Sequence, residues 1–139
     1  MNKTYKHIEG LLYNYKTIKA AINHNRIKLE NLEIEDGLNS IDFEIEKSNT
    51  NKIGRIAENA AIKNIEEKEK LKKQIELDIN KIRLIDNALE NLQDIEKEII
   101  TLFYIEDWPW WKVAHNVSYS EGWCKAKRNQ IIKKIASYW

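Results

Sequence analysis

An all-α fold is predicted for this chain: a long N-terminal helical pair with coiled-coil-like seams, then a C-terminal unit of three shorter helices. Three observations predict it. Four Gly and one Pro in 139 residues leave the backbone few places to turn. Apolar residues recur in alternating steps of three and four, which is one face of a helix and not one face of a strand. Charged residues make up 32% of the chain and fill the positions between, as on the solvated faces of long helices.

The first helix is expected from about Thr4 to Ile34. Ile8, Leu11, Tyr15, Ile18, Ile22, Leu29 and Leu32 form its seam, with polar Asn25 interrupting it. Asp36 and Gly37 then supply stop and turn chemistry. From Glu35 to Asn51 the residues Leu38, Ile41, Phe43 and Ile45 alternate with polar ones and end in Ser48, Asn49, Thr50 and Asn51. A long connection with a short extended piece is expected there.

A second long helix is expected to start between Lys52 and Ala57 and to run to about Asn91. Its seam is Leu71, Ile75, Ile82, Ile85, Leu89 and Leu92, with Asp78 as the polar member. Two seamed helices bury their stripes either as an antiparallel hairpin within one chain or against a second copy, and both arrangements satisfy the pattern. Residues 1–91 therefore read as an oligomerisation or partner-binding hairpin and 92–139 as a separate domain.

Beyond Leu92, residues Ile95, Ile99, Leu102 and Phe103 mark a helix from about Asp94 to Tyr104, which Glu106, Asp107 and Trp108 break. Pro109 suits the first turn of the next helix, Trp110 to Asn116, with Trp110 or Trp111, Val113 and Ala114 facing the core. Val117, Ser118 and Tyr119 form a turn. Ser120 then caps a third helix ending near Ser137, and Glu121 suits its positive end. Cys124, Ile131, Ile132 and Ile135 are its expected inward residues, and Lys125, Lys127 and Arg128 its exposed ones. Trp108, Trp110 and Trp111 are expected to fill the core and clamp the following helix, while Tyr138 and Trp139 either cover the bundle or meet a partner.

A short helix, a tight turn and a capped basic helix make the geometry that places the last helix in the DNA major groove. From Trp108 onward the bases are Lys112, Lys125, Lys127, Arg128, Lys133 and Lys134, and Glu121 is the one acid. The whole chain, at +1, lacks the basicity of many nucleic-acid binders, so the charge is local. Glu121, Gly122, Trp123, Lys125 and Ala126 occupy the first turns and are the expected base-facing set, with Glu able to accept from cytosine N4 and Lys to donate to guanine. Lys112, Ser120, Lys127, Arg128 and Lys133 are the expected phosphate contacts.

The run beginning Leu92-Gln93-Asp94-Ile95-Glu96-Lys97-Glu98-Ile99-Ile100, continuing through Phe103-Tyr104, Trp111-Lys112-Val113-Ala114 and Tyr119-Ser120-Glu121-Gly122-Trp123-Cys124-Lys125, resembles the region-four helix-turn-helix of bacterial sigma factors. It looks closest to phage and prophage regulators of the ArpU/RinA type, which share that module; Leu12-Tyr13-Asn14-Tyr15 and the helical pair resemble clostridial-type members. The resemblance implies sequence-specific promoter recognition and contact with RNA polymerase in a late-gene or prophage programme. Phe103 in place of an Arg, the Asp107-Trp108-Pro109-Trp110 loop and the early Gly122 depart from that pattern, and no region-two polymerase-binding module is evident.

No enzyme is expected. There is no Gly-rich phosphate loop, nucleophile elbow or His-Glu-x-x-His, and the carboxylates lie within i to i+4 reach of lysines along helices. His7, His24 and His115 are not spaced to share a metal with Cys124, so neither metal nor cofactor is expected. No apolar run reaches the roughly 20 residues that cross a bilayer, no signal-peptide core precedes Asn14, and the lone cysteine needs no oxidising compartment, so the cytoplasm is the expected location. Two other readings stand beside DNA-binding regulation. A small-terminase-like packaging protein builds rings around DNA but usually has its helix-turn-helix first, and this chain has the opposite order. A helical interaction adaptor that never meets DNA fits the neutral overall charge.

Overall fold

A computed structural model describes residues 2–46 and 51–139, with side chains outside 38–57. Every regular element among the described residues is helical. The chain forms α1 (Lys3–Tyr13), α2 (Tyr15–Glu46), α3 (Asn51–Glu90), α4 (Asp94–Ile100) running on as a π-helical turn (Thr101–Ile105), α5 (Trp110–Val117) and α6 (Glu121–Ala136).

The single helix expected over 4–34 is divided at Asn14. Asn2 caps α1 by accepting from the Thr4 amide at 3.2 Å, and Asn14 then takes φ −95° and ψ 5°. Asn14 still donates to Gly10 and accepts from Ile18, so the division is a one-residue break that forfeits little hydrogen bonding. Its local effect is to give α1 its own packing partners. The backbone of α2 continues past the expected stop at Asp36 and Gly37, and the connection expected over 35–51 is helical to Glu46. Two physical reasons explain this. Asp36 falls on the seam one turn after Leu32, and its carboxylate accepts from Asn64 and forms an ion pair with Lys68 of α3. Ile34, Leu38, Ile41 and Ile45 also fall in steps of four, three and four, a helical period within the same residues that alternate. No extended piece occurs through Glu46, and the Ser48 to Thr50 part of that expectation lies outside the described residues.

Backbone packing divides the chain into two units. One comprises Met1–Lys19 with Asn80–Trp139, the other Ala20–Ile79. The division expected between 91 and 92 therefore differs from this one, because α1 and the last turns of α3 share a core with the C-terminal helices. Tyr5, Ile8, Leu11 and Leu12 bury in one cluster with Ile85, Leu89, Leu92, Ile100, Tyr104, Ile131, Ile132 and Ile135. In the other unit Ile22, Leu71 and Ile75 are buried, and Asp78, also buried, accepts from Gln74 at 3.1 Å.

Gln93 and Glu96 form a capping box at the start of α4, each meeting the other's backbone amide. The helix widens over Thr101–Ile105, where Glu106 donates five residues back to Thr101 at 2.9 Å. Trp108 then donates to Leu102, closing the turn around Asp107, whose φ is +57°. Helix α5 starts at Trp110 as expected, with Pro109 as its cap; the Pro109 carbonyl accepts from Lys112 and Val113. Ser118, left-handed at φ 63° and ψ 38°, ends α5, and the Ser120 hydroxyl accepts from Trp123 at 3.1 Å to open α6. The cap expected at Ser120 and the inward positions Cys124, Ile131, Ile132 and Ile135 are as the sequence predicts.

Candidate nucleic-acid interface

The turn between α5 and α6 is short because a left-handed residue reverses the chain and a hydroxyl immediately restarts it. Tyr119 donates back to Ala114 at 3.2 Å, and its ring stacks on Trp123 at 3.8 Å and 14°. Val113 and Ala114 of α5 and Cys124 of α6 are all buried, so the two helices meet through small side chains. The first turns of α6 are thus held at a fixed place relative to α5.

Of the expected base-facing set, Glu121, Gly122, Lys125 and Ala126 are exposed, and Gly122, Lys125 and Ala126 share one face at helical spacing. Trp123 differs. It is half-buried in the stack with Tyr119, with the Lys127 ammonium 5.9 Å from its ring, so it clamps the turn. A Cβ added at Gly122 would meet nothing within 4 Å, so no internal contact needs glycine there.

Of the expected phosphate contacts, Lys112 is exposed with its ammonium 4.0 Å over the Trp108 ring, and Lys133 is exposed further along α6. Ser120 is exposed while its hydroxyl oxygen serves as the cap. Lys127 and Arg128 correct the expectation that they lie on exposed faces. The Lys127 ammonium stands 3.9 Å from the buried Glu96 carboxylate. The Arg128 guanidinium lies 5.2 Å from the Trp110 ring and 5.8 Å from the Phe103 ring, which stack on each other at 3.9 Å. It donates to Asn129 Oδ1 at 2.8 Å and to the Tyr104 hydroxyl at 3.4 Å. The signal was in the spacing: positions 127 and 128 stand three and four residues after inward Cys124, on the same side of the helix.

Trp111 corrects the expectation of core filling for the tryptophan cluster. It is 64% exposed, whereas Trp110 packs on Phe103 and Trp108 on Lys112. Trp139 packs against the core edge-on to His7 at 6.3 Å, and Tyr138 is exposed.

Sequence reasoning missed a polar cluster behind the exposed face of α6. The Tyr5 hydroxyl donates to Asn129 Oδ1 at 2.8 Å, and the Tyr104 hydroxyl donates to Glu9 Oε2 at 2.7 Å. Burial pushes the Tyr104 hydroxyl far above its ordinary range, and the bond to Glu9 adds to this. Burial alone acts against the Arg128 charge, but the bond to Tyr104 and the nearby Tyr5 and Glu9 outweigh it, leaving the guanidinium more basic than usual. These partners stand 95 and 124 residues apart in sequence, and no local pattern announces them.

Burial, and secondarily Glu121, raises the Cys124 thiol, which opposes nucleophilic chemistry there. Among the described residues no group of three His, Cys, Asp or Glu side chains is placed to hold a metal ion, and no helix is long and apolar enough to cross a membrane. The sequence profile of a family described as "Protein of unknown function (DUF722)" matches residues 4–137. No curated protein and no solved structure matches the chain significantly.

Proposed function

We propose that the chain, which belongs to the DUF722 family, is a sequence-specific DNA-binding transcriptional regulator that reads duplex DNA with the first turns of α6. In this reading α5, the Ser118–Ser120 turn and α6 form a helix-turn-helix supported by α4, and α2 with α3 is a hairpin for a partner, either RNA polymerase or a second copy. The reading assigns the chain no enzymatic role.

The observation that carries the reading is the exposed Gly122, Lys125 and Ala126 face directly after a capped tight turn. A glycine inside an exposed helix costs about 0.5–1 kcal/mol relative to alanine. Gly122 has no positive φ and no neighbour that a Cβ would strike, so nothing inside the protein offsets that cost. A missing side chain there lets the helix backbone approach a groove floor, while Lys125 reaches base edges and Glu121 accepts from an exocyclic amine. Lys112 and Lys133 supply phosphate contacts, whose strength falls steeply with salt.

The test is selection from a random duplex library at about 0.1 M salt, with a Lys125→Glu plus Lys112→Glu variant as control. These two lysines are exposed, so their reversal leaves the core intact, which does not hold for Lys127 and Arg128. One enriched motif with the native protein and none with the variant is the expected result. Equal retention without enrichment by both proteins overturns the reading. The exposed indole of Trp111 favours a second reading, a helical adaptor with a protein partner, and that outcome would leave it standing.

A further inference from the structure

We propose that α1 is a positioning strut for α6, and that Tyr5 and Tyr104 are the residues through which it sets how the proposed recognition helix is held. The inference rests on the DNA-reading proposal for its consequence, but its structural half stands without DNA.

Two kinds of contact join α1 to α6. Ile8 and Leu12 share the apolar cluster with Ile131, Ile132 and Ile135. Such contacts are non-directional, and helices packed only through them settle into several crossing angles and registers at small cost. The second kind is directional. Tyr5 of α1 donates to Asn129 of α6, and the same Asn129 oxygen accepts from Arg128. Glu9 of α1 accepts from Tyr104, whose hydroxyl in turn accepts from Arg128. Each bond demands its partner within a narrow distance and angle, so rotating or sliding α1 by even part of a turn breaks the chain of bonds at both ends.

The placement of Tyr104 makes this possible. It is 1% exposed and lies within the π-helical turn, while neighbouring Phe103 stacks on Trp110 of α5. The cluster therefore meets α1, the π-helical turn and α6 at one place. Asn129 stands three residues after exposed Ala126 and four after Lys125, so an error in the orientation of Asn129 displaces the reading side chains directly.

Recognition that depends on bidentate geometry at base edges loses discrimination when a helix is displaced, whereas phosphate attraction tolerates it. A strut therefore predicts a specific signature. Tyr5→Phe keeps the ring and its packing while removing one bond, and Tyr5→Phe with Tyr104→Phe removes both links to α1. Two measurements are made on the full chain with each variant: amide hydrogen exchange along α6, and affinity for the selected duplex relative to a random one. The strut predicts exchange in α6 that quickens by about fivefold or more in the double variant, since one lost hydrogen bond corresponds to about that factor. It also predicts a fall of about tenfold in the ratio of selected to random affinity, with random affinity and its salt dependence unchanged. Tyr5→Phe, which perturbs the less buried end, moves both in the same direction by less and keeps the test open where the double variant unfolds. Unchanged exchange in α6, or selected and random affinities falling together, overturns the strut. Should the native protein select no duplex, the DNA reading falls and the exchange measurement alone decides the strut.

Discussion

The two compact units of this chain are stabilised in different ways. In the unit formed by Met1–Lys19 and Asn80–Trp139, side chains from α1, α3, α4 and α6 converge, and Ile99, Ile100, Val113, Cys124, Ile131 and Ile132 are completely removed from water. In Ala20–Ile79 the described core is a single stripe. Ile22, Leu71 and Ile75 keep 6–9% of their surface, and Leu29 and Leu32 are half-buried. Each buried member of the stripe keeps a small edge open to solvent, so deleting one of them lets water reach the space it leaves. The first unit thus has an enclosed core built from several helices, and the second a stripe between two.

The largest expected effect tests that contrast in the cores. Ile131→Ala removes a side chain from the fully enclosed site and is expected to destabilise by about 3–4 kcal/mol, within the range for buried Ile to Ala. Leu71→Ala, in the stripe, is expected to cost about 2 kcal/mol, because water can fill the space it leaves. Thermal unfolding with hydrogen exchange in both units measures the two. The reverse order would show that the stripe is the stronger core and would end the comparison.

Next in size is the contrast between two cations of α6, Lys125 and Arg128. Arg128→Glu places a carboxylate beside the stacked Trp110 and Phe103 rings and near Glu9, and is expected to cost about 2 kcal/mol through lost cation–π contact and hydrogen bonds. Lys125→Glu changes an exposed side chain and is expected to shift stability by less than about 0.5 kcal/mol while removing duplex retention. Chemical denaturation of both variants beside a binding assay separates the roles. Equal stability of the two would mean that the guanidinium cage contributes nothing.

Gly122→Ala sharpens the same contrast with the opposite sign. It is expected to stabilise by about 0.5 kcal/mol, because the added methyl meets open space and restricts the unfolded chain. Affinity for the selected duplex is expected to fall in the same variant. A gain in stability with unchanged binding would remove the observation on which the DNA reading rests.

What could be read in advance follows from how far apart the cooperating residues are. The seams of α2 and α3, the Ser120 cap and the inward set of α6 depend on neighbours within one or two turns, so spacing revealed them. Asp36 and Gly37 misled because their local chemistry is that of a stop, while the bonds that keep Asp36 helical come from Asn64 and Lys68. Arg128 misled because its charge suggests solvent, while its position four residues after buried Cys124 turns it toward the core. Nothing in the sequence joins Tyr5 and Glu9 to Tyr104, since their cluster exists only once α1 is folded onto α6.

The smallest expected effect belongs to the second unit and separates its polar link from its stripe. The ion pair with Lys68, and then the Asn64 amide, hold the Asp36 carboxyl below its ordinary value of 3.8. A carboxyl depressed in the folded state contributes stability that is present above its unfolded value and is lost as pH falls through the folded one. Protection of the neighbouring turns of α2 and α3 is therefore expected to hold at pH 5 and above and to decline below about pH 4. Asp36→Asn is expected to flatten that decline, because an amide cannot be titrated and still accepts from Asn64. The pair is partly exposed, so salt screens it and the change should be confined to these turns. A decline that survives in Asp36→Asn would assign the acid sensitivity to another group and remove the Asp36 link from the account.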